Sequence, residues 1–346
     1  MKTLLCLSAF FLVFLVNCNV TDSGNDLTLG NRSYTWSVDT LYSPPGGWVY
    51  NIWGSNPDDV WAVVGTGNET LWRFDGIEWE PWPERVASGL YSIFGFDEDN
   101  VWAGGQNGLM YHFDGETWEL SYKYEKENYS IEGINDIWGL SPTNFYAIGT
   151  AYSPSDNMQI HGFLIHYNGS NWTELYFAEY DIQFQRLRGN HNDLFIRGTK
   201  LDYSGVTPDT VIIYKYNSGK INEFLSRTSD QPGSLDLNTI DYGVLILEGF
   251  NVYRVEQSSL ESVLHLNEDT LVYGVSGRSS SDLFINTING MYHYNGVNKK
   301  PLLQIPNDMP NNVFRNLIFK EEIFFSVIDF NSGTNLIFQG TLNDKE

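Results

Sequence analysis

The sequence predicts an all-β propeller of seven four-stranded blades, with its ring closed by an N-terminal strand. Three observations carry that expectation. First, a phrase repeats. Ile52-Trp-Gly-Ser-Asn-Pro-Asp-Asp-Val-Trp-Ala-Val-Val-Gly65 leads into Leu71-Trp-Arg-Phe-Asp-Gly-Ile-Glu-Trp79, and the pattern returns at Ile93–Gly105 with Met110–Trp118 and at Ile137–Gly149 with Leu164–Trp172. A unit of about 40–45 residues made of short apolar runs and turns is the signature of a propeller blade. Second, weaker copies follow at Leu187–Tyr216, Gly243–Val255, Val275–Gly296 and Leu317–Gln339, which brings the count to seven. Third, the last copy is one strand short, and Ser33-Tyr-Thr-Trp-Ser-Val38 reads as a fourth strand with no unit before it. Trp36 there takes the place of Trp79, Trp118 and Trp172. Pairing the two chain ends in one blade removes the exposed edges of an open array.

Within a unit, the first strand is Tyr50–Gly54, followed by a polar turn through Ser55–Asp59. The second is Val60–Val64, and a Gly-containing loop leads to the third at Thr70–Phe74. A two-residue Asp75-Gly76 hairpin then leads to a fourth strand near Trp79; Asp114-Gly115, Asn168-Gly169 and Asn295-Gly296 repeat the turn, whose geometry needs positive φ. The domain is expected to span 31–346.

The phrase resembles a broad group of bacterial seven-bladed propeller repeats with the pattern I-x-G, D-V-W-A-V-G and H-Y-D-G-x-x-W. The resemblance covers nearly all of residues 31–342 and implies the fold. It implies little about function, because one fold hosts many activities.

The first residues read as a targeting segment. Met1-Lys2 is a short basic start, and Leu4 to Val16 is an apolar run too short for a comfortable membrane span. Leu15-Val-Asn-Cys18 resembles the lipobox of bacterial lipoproteins, with Asn17 departing from the usual small residue before the cysteine. The resemblance implies removal of 1–17 as a signal peptide, lipidation of Cys18, a polar tether over 18–30, and a bacterial envelope location at the outer membrane or cell surface. The alternative is an ordinary secretory signal with a secreted or periplasmic product. The only cysteines are Cys6 and Cys18, so neither a disulfide nor a cysteine metal site is expected in the domain.

Length and composition suffice for a large core, at 346 residues and 42% hydrophobic. The formal net charge of −23 argues against nucleic acid and anionic membrane surfaces, so the membrane is met through the lipid alone. No metal or cofactor is expected. His112, His166 and His293 share one third-strand position, but neighbouring blades stand about 10 Å apart, against the ~2 Å that zinc needs. Packing is the reading preferred for them, as for Trp53 and Trp138, which could alternatively stack on sugar rings. The second-strand aromatics Trp61, Trp102, Tyr146, Phe195 and Phe284 should wedge adjacent blades together, with Trp79, Trp118 and Trp172 packed on outer strands. The turns Asn56–Asp59 and Asp97–Asn100 lack the ordered spacing of a calcium loop. No nucleophile elbow, HExxH or P-loop occurs, and no arginine cluster suited to gripping a carboxylate is apparent.

The expected function is a non-catalytic, monomeric binding module for a glycan or protein. The alternatives are an assembly platform and a polysaccharide hydrolase or lyase. Contacts are expected on two enlarged loops joining second to third strands, Thr150–His161 and Thr199–Thr210, bordered by the connection Tyr122–Tyr129 and represented by Tyr152 and Tyr203.

Overall fold

Side-chain chemistry decides where the strands end. Asp75, Asp114, Asn168 and Asn295 each close a third strand by accepting, through Oδ1, the N–H groups two and three residues on, at 2.9–3.1 Å. The following glycines lie at φ +91° (Gly76), +97° (Gly115), +90° (Gly169) and +87° (Gly296). The loops therefore have four residues, as in Asp75–Glu78 between Phe74 and Trp79, and not the two expected from sequence. Only the glycine takes positive φ, because the Asx side chain supplies the hydrogen bonds that a tighter turn would make through its backbone. A Cβ on Gly115 would stand 2.5 Å from Oδ1 of Asp99 in the neighbouring turn, so both φ and space require glycine. The two-residue form occurs elsewhere, at Asn107-Gly108 (φ +58° and +73°).

The computed structural model describes residues 33–343, apart from 42–46, 66–69, 85, 87–88, 155–158, 180, 241–242, 257–258, 269–270, 306–310 and 330–331. The leader, Cys18 and the tether lie outside the described residues. The described chain forms seven blades of four antiparallel strands, in chain order at 49–81, 90–123, 130–177, 182–228, 234–265, 272–304, and a last blade of mixed origin. The first strand of each blade is innermost, and each inner strand lies against the inner strands of both neighbours. The seventh returns to the first, so the ring is closed. A single parallel bridge, Ile240 to Gly277, joins blades five and six into one sheet. Second strands carry the core: Asp59–Val64 and Asp282–Thr287 are buried at every residue.

The blades are held by a repeated aromatic wedge. Trp61 of blade one, fully buried, reaches into blade two, with ring centroids 5.1 Å from Phe113 and 5.5 Å from Trp118. Trp102 reaches Phe145, Tyr167 and Trp172 of blade three at 5.0–6.0 Å. Phe324 of blade seven reaches Phe74 and Trp79 of blade one at 5.6 and 6.5 Å. Trp79, Trp118 and Trp172, on the outermost strands of their blades, thus pack in the joints between blades, where the preceding aromatic arrives. A buried indole covers about 200 Å², worth about 5 kcal/mol at ~25 cal/mol per Å². The indole N–H of Trp61 finds no partner among the described residues, a cost of about 1–3 kcal/mol, so burial wins. Trp53 and Trp138 make a second, inner joint. A Cβ on Gly95 would fall 2.5 Å from Trp53, and one on Gly189 2.6 Å from Trp138, so the glycine of the repeated phrase is the seat for the previous blade's tryptophan.

The third-strand histidines serve the same framework. His112 and His166 each place Nε2 2.9 and 2.8 Å from Oδ1 of Asn100 and Asn144, and His293 places Nε2 2.7 Å from Oδ1 of Asp282. Blades one and four put Arg73 on Asp59 at 2.8 Å and Lys215 on Asp193 at 2.9 Å in the equivalent place. Each of these basic side chains ties the third strand to the start of the second. His112 and His166 also lie 4.5 Å from the rings of Trp102 and Tyr146, and burial pushes both imidazoles below their ordinary pKa. The Oδ1 of Asn100 already accepts from the Trp102 indole, so His112 donates from Nε2.

The last blade joins the chain ends. β1 (Tyr34–Leu41) is its outermost strand, beyond β26 (Asn311–Ile318), β27 (Glu322–Asp329) and β28 (Thr334–Leu342). β1 pairs with β28 from Tyr34–Leu342 to Leu41–Asn335, which places the expected Tyr34–Val38 segment opposite Phe338–Leu342. Trp36 faces Gly340, as Trp79 faces Phe74 and Trp118 faces Phe113. A Cβ on Gly340 would lie 2.5 Å from the Trp36 ring, so this blade gives up its third-strand aromatic to seat the tryptophan. Tyr34 receives a 2.7 Å hydrogen bond from Arg278 of blade six, which fastens β1 to the adjoining blade. Trp36→Ala should cost about 2–3 kcal/mol. Deletion of 33–41 should cost more and broaden the unfolding transition, as read by chemical denaturation; a deleted protein with parental stability would contradict closure through β1.

Candidate binding face and central channel

The connections joining second to third strands lie on one face, together with the blade-to-blade connections. Tyr152 and Tyr203, the residues expected to make contact, both lie there. The insertions are shorter than expected as loops, because the hairpin ladders run on. Strands extend through Tyr152, resume at Ile160, extend through Lys200 and resume at Thr210. Loop 201–209 is self-capped. Asp202 accepts the N–H groups of Ser204 and Thr207 at 2.8 Å each, and its own N–H donates to Asp209 at 2.8 Å. Hydrogen bonds from the Ser204 and Thr207 side chains, followed by those from the same residues' N–H groups, hold the Asp202 carboxyl well below its usual range. The loop presents Tyr203 at 64% exposure and Val206 at 82%. Trp48, Leu271 and Ile288 are other large exposed apolar side chains on this face.

Tyr152 and Tyr203 gather around a carboxylate that sequence reasoning did not single out. Glu132, near the start of the inner strand Ser130–Ser141, accepts a hydrogen bond from the Tyr152 hydroxyl. Its Oε2 is buried without a hydrogen-bond partner among the described residues. Burial raises the Glu132 pKa, and burial together with the Glu132 charge pushes Tyr152 up to about 12. Tyr91 and Tyr203 both feel the Glu132 charge, and Tyr50 lies 5.4 Å from Tyr91. The connection after blade two borders this site as expected. Tyr124 stacks on Phe163 at 4.1 Å and donates to Glu174 at 2.5 Å, while Lys126 reaches Glu174 at 2.7 Å. The groove over this connection has a volume of about 900 Å³.

The channel corrects one sequence expectation, for it does contain an arginine cluster. Arg186 and Arg188 come from the inner strand of blade four, Arg197 from the strand beside it, and Arg315 from β26 across the ring. Arg186 Nη1 donates to Asp236 at 2.6 Å and to Asn238 at 3.2 Å. Arg197 Nε donates to the Leu235 carbonyl at 2.9 Å and lies 3.5 Å from Asp236. Arg188 Nη1 donates to Asp136 at 2.7 Å, and Arg315 Nε to the Tyr50 carbonyl at 2.8 Å. Burial alone would raise the Asp236 carboxyl, yet Arg186 and Arg197 hold it below the usual range. Burial and the neighbouring Arg186 push Arg315 down to about 9. The signal missed was Arg186-Gln185-type polarity in an inner strand: units one to three put asparagine, serine, aspartate or large aromatics where unit four puts arginine.

Two carboxylates from different blades, Asp136 and Asp236, therefore meet the channel, but each is committed to arginine. A glycosidase acid needs a raised pKa, and Asp236 has the opposite shift. Among the described residues no group of three or more His, Cys, Asp or Glu side chains is arranged to hold a metal ion. The turns Asn56–Asp59 and Asp97–Asn100 are capped by their own side chains: Asn56 accepts from the N–H of Asp58 at 2.9 Å and Asp97 from that of Asp99 at 3.2 Å.

Comparison with known proteins gives a likeness of fold. The structure of YCF48 bound to D1 peptide is 17% identical, covering 92% of this chain and 100% of that one, with a TM-score of 0.60. YCF48 from Cyanidioschyzon merolae is 14% identical over 87% of this chain and 98% of its own, at 0.56. The WD40 β-propeller domain of Doa1 is 11% identical over 89% and 97%, at 0.57. No family model matches the chain, and no curated protein matches it. The chain is a β-propeller, with a fold like that of the YCF48 and WD40 propellers.

The environment of Glu132 makes a pH-dependent prediction. A carboxyl whose pKa is raised by folding contributes stability at low pH that is lost as pH rises above the unfolded value, near 4.5. Glu132→Gln keeps an acceptor for Tyr152 and removes the charge. It should melt above the parent at pH 7, with the difference closing towards pH 4; a variant that melts below the parent at pH 7 would contradict the burial argument.

Proposed function

We propose that this chain is an exported, lipid-anchored propeller that binds a polypeptide partner through its loop face and catalyses no reaction. The observation that carries the reading is the site around Glu132. A buried acceptor, three tyrosines and a self-capped loop with an exposed Tyr203 and Val206 come from three adjacent blades. Loops on a rigid scaffold are the usual place for recognition, and tyrosines among polar groups suit it. A carboxylate kept in a destabilising position is a typical cost of function. A propeller of similar fold is known bound to a peptide, which supports a polypeptide over a glycan. The acidic surface, at −23, favours a basic segment.

The anchor follows from Leu15-Val-Asn-Cys18, and a bacterial envelope location follows from the anchor. The mass of the mature N-terminus tests it: a lipid on Cys18 is expected, and an unmodified N-terminus beyond residue 18 would show ordinary secretion.

The binding face is tested by cross-linking and pull-down from envelope fractions, followed by titration of the captured partner. Replacing 153–159 and 201–209 by turns of the Asn107-Gly108 kind should weaken binding at least tenfold while leaving the melting transition in place. Tyr203→Ala should weaken it severalfold. Undiminished affinity in the double-shortened protein would place the surface elsewhere, and capture by glycans alone would replace the polypeptide with the other ligand class.

A further inference from the structure

We propose that the central channel holds a second site, independent of the loop face, for a small oxyanion that also carries an O–H donor. Inner strands of blades four to seven enclose a cavity of about 60 Å³, lined by Arg186, Arg188, Arg315, Gly274, Asn286 and Asn316 among others. A water needs roughly 10–15 Å³ by the same measure, so the cavity takes a carboxylate- or phosphate-sized group and not a folded element.

Charge selects an anion. Within this network three guanidinium groups, Arg186, Arg188 and Arg197, face two carboxylates, Asp136 and Asp236. A positive surplus at a poorly solvated place costs free energy unless something negative answers it. Planar guanidinium groups are suited to oxyanions, which they grip through paired N–H donors. Arg186 and Arg188 spend Nη1 on Asp236 and Asp136. No protein hydrogen bond engages their Nη2 groups among the described residues.

Hydrogen-bond direction adds the donor. Asn316 Nδ2 donates to Ser276 Oγ at 2.6 Å, and Asn286 Nδ2 donates to Asn316 Oδ1. The series of bonds ends on Asn286 Oδ1, a buried acceptor with no partner among the described residues, in a side chain only 4% exposed. Buried acceptors are rarely left unmade. An anion bearing O–H satisfies both sides at once: its oxygens accept from the arginines, and its hydroxyl donates to Asn286. Hydrogen phosphate and a 2-hydroxy carboxylate share that chemistry; sulfate and acetate lack the donor.

Isothermal titration of the protein with hydrogen phosphate, sulfate, glycolate and acetate tests the site. Hydrogen phosphate or glycolate should bind saturably, one per chain, at least tenfold tighter than its donor-free counterpart, and more weakly as salt rises. The tighter of the two names the class of oxyanion. Gly274→Val fills the cavity without altering charge, since a Cβ there meets only Asn238 and Asp236 at 3.6 and 3.7 Å. It should weaken binding at least tenfold in a protein that melts like the parent. Asn286→Leu should remove the preference for the donor-bearing anion. Absence of saturable binding, or parental affinity in Gly274→Val, would overturn the proposal. Shortening the two face loops should leave this titration unchanged, so failure of the partner-binding reading and failure of the anion site are told apart.

Discussion

Everything in this molecule depends on one contact made again and again: an aromatic from the second strand of one blade driven between the third and fourth strands of the next. Backbone ladders run within blades, with the bridges Ile240–Gly277 and Gln106–Gly133 between them among the described residues, and side-chain bonds such as Arg278 to Tyr34 and Arg186 to Asp236 add local ties. Cohesion around the ring is therefore mostly side-chain burial. The wedge is non-directional in energy but strict in shape, since ring edges and faces must meet at about 5 Å, as Trp61 meets Phe113 and Trp118. The constraint explains both kinds of repeat. Aromatics recur because the blades supply wedges and receiving slots in turn; blade five alone, with the second strand Gly243–Gly249, makes its joint with aliphatic side chains. Glycines recur because the neighbouring tryptophan occupies the room a side chain would need, as at Gly95 and Gly189.

Closure has a consequence for the channel. Seven inner strands around one axis bring together residues that are distant in sequence, and they must do so beside polar backbone. The chain fills this space with polar side chains: Asp136 and Asp236 answer Arg188 and Arg186, and asparagines bridge the remaining strands. Apolar packing lies between blades, and polar chemistry lies along the axis and at its mouth. The same division puts Glu132 where burial works against its charge while Tyr152 partly compensates it.

What the sequence revealed follows from repetition. The wedge aromatics, the turn glycines and the basic third-strand position could be read because several copies agree, and the orphan Trp36 because it matched a pattern that lacked one member. The register at Gly340 was consistent with that match and supplied its reason, a missing side chain opposite the tryptophan. Single events were not legible. Arg186, Arg188 and Arg315 occur once each, on inner strands from opposite sides of the ring, and no local pattern joins them. Glu132 looked like one of 43 acidic residues; only burial distinguishes it. Loop lengths were overread because a hairpin continues for as long as its register allows, so part of each insertion became strand. The proximity of Tyr152 and Tyr203 followed from blade order alone, while the carboxylate between them did not.

Native-state hydrogen exchange is the direct test of a ring that stands or falls as one unit. If closure through β1 is part of the global fold, amides of β1 bonded to β28 should exchange only through the same opening that releases the buried strand β27, with matching free energies and denaturant dependence. Exchange of the β1 amides through a local opening, orders of magnitude faster than β27 and insensitive to denaturant, would show an ornamental edge strand and contradict the account.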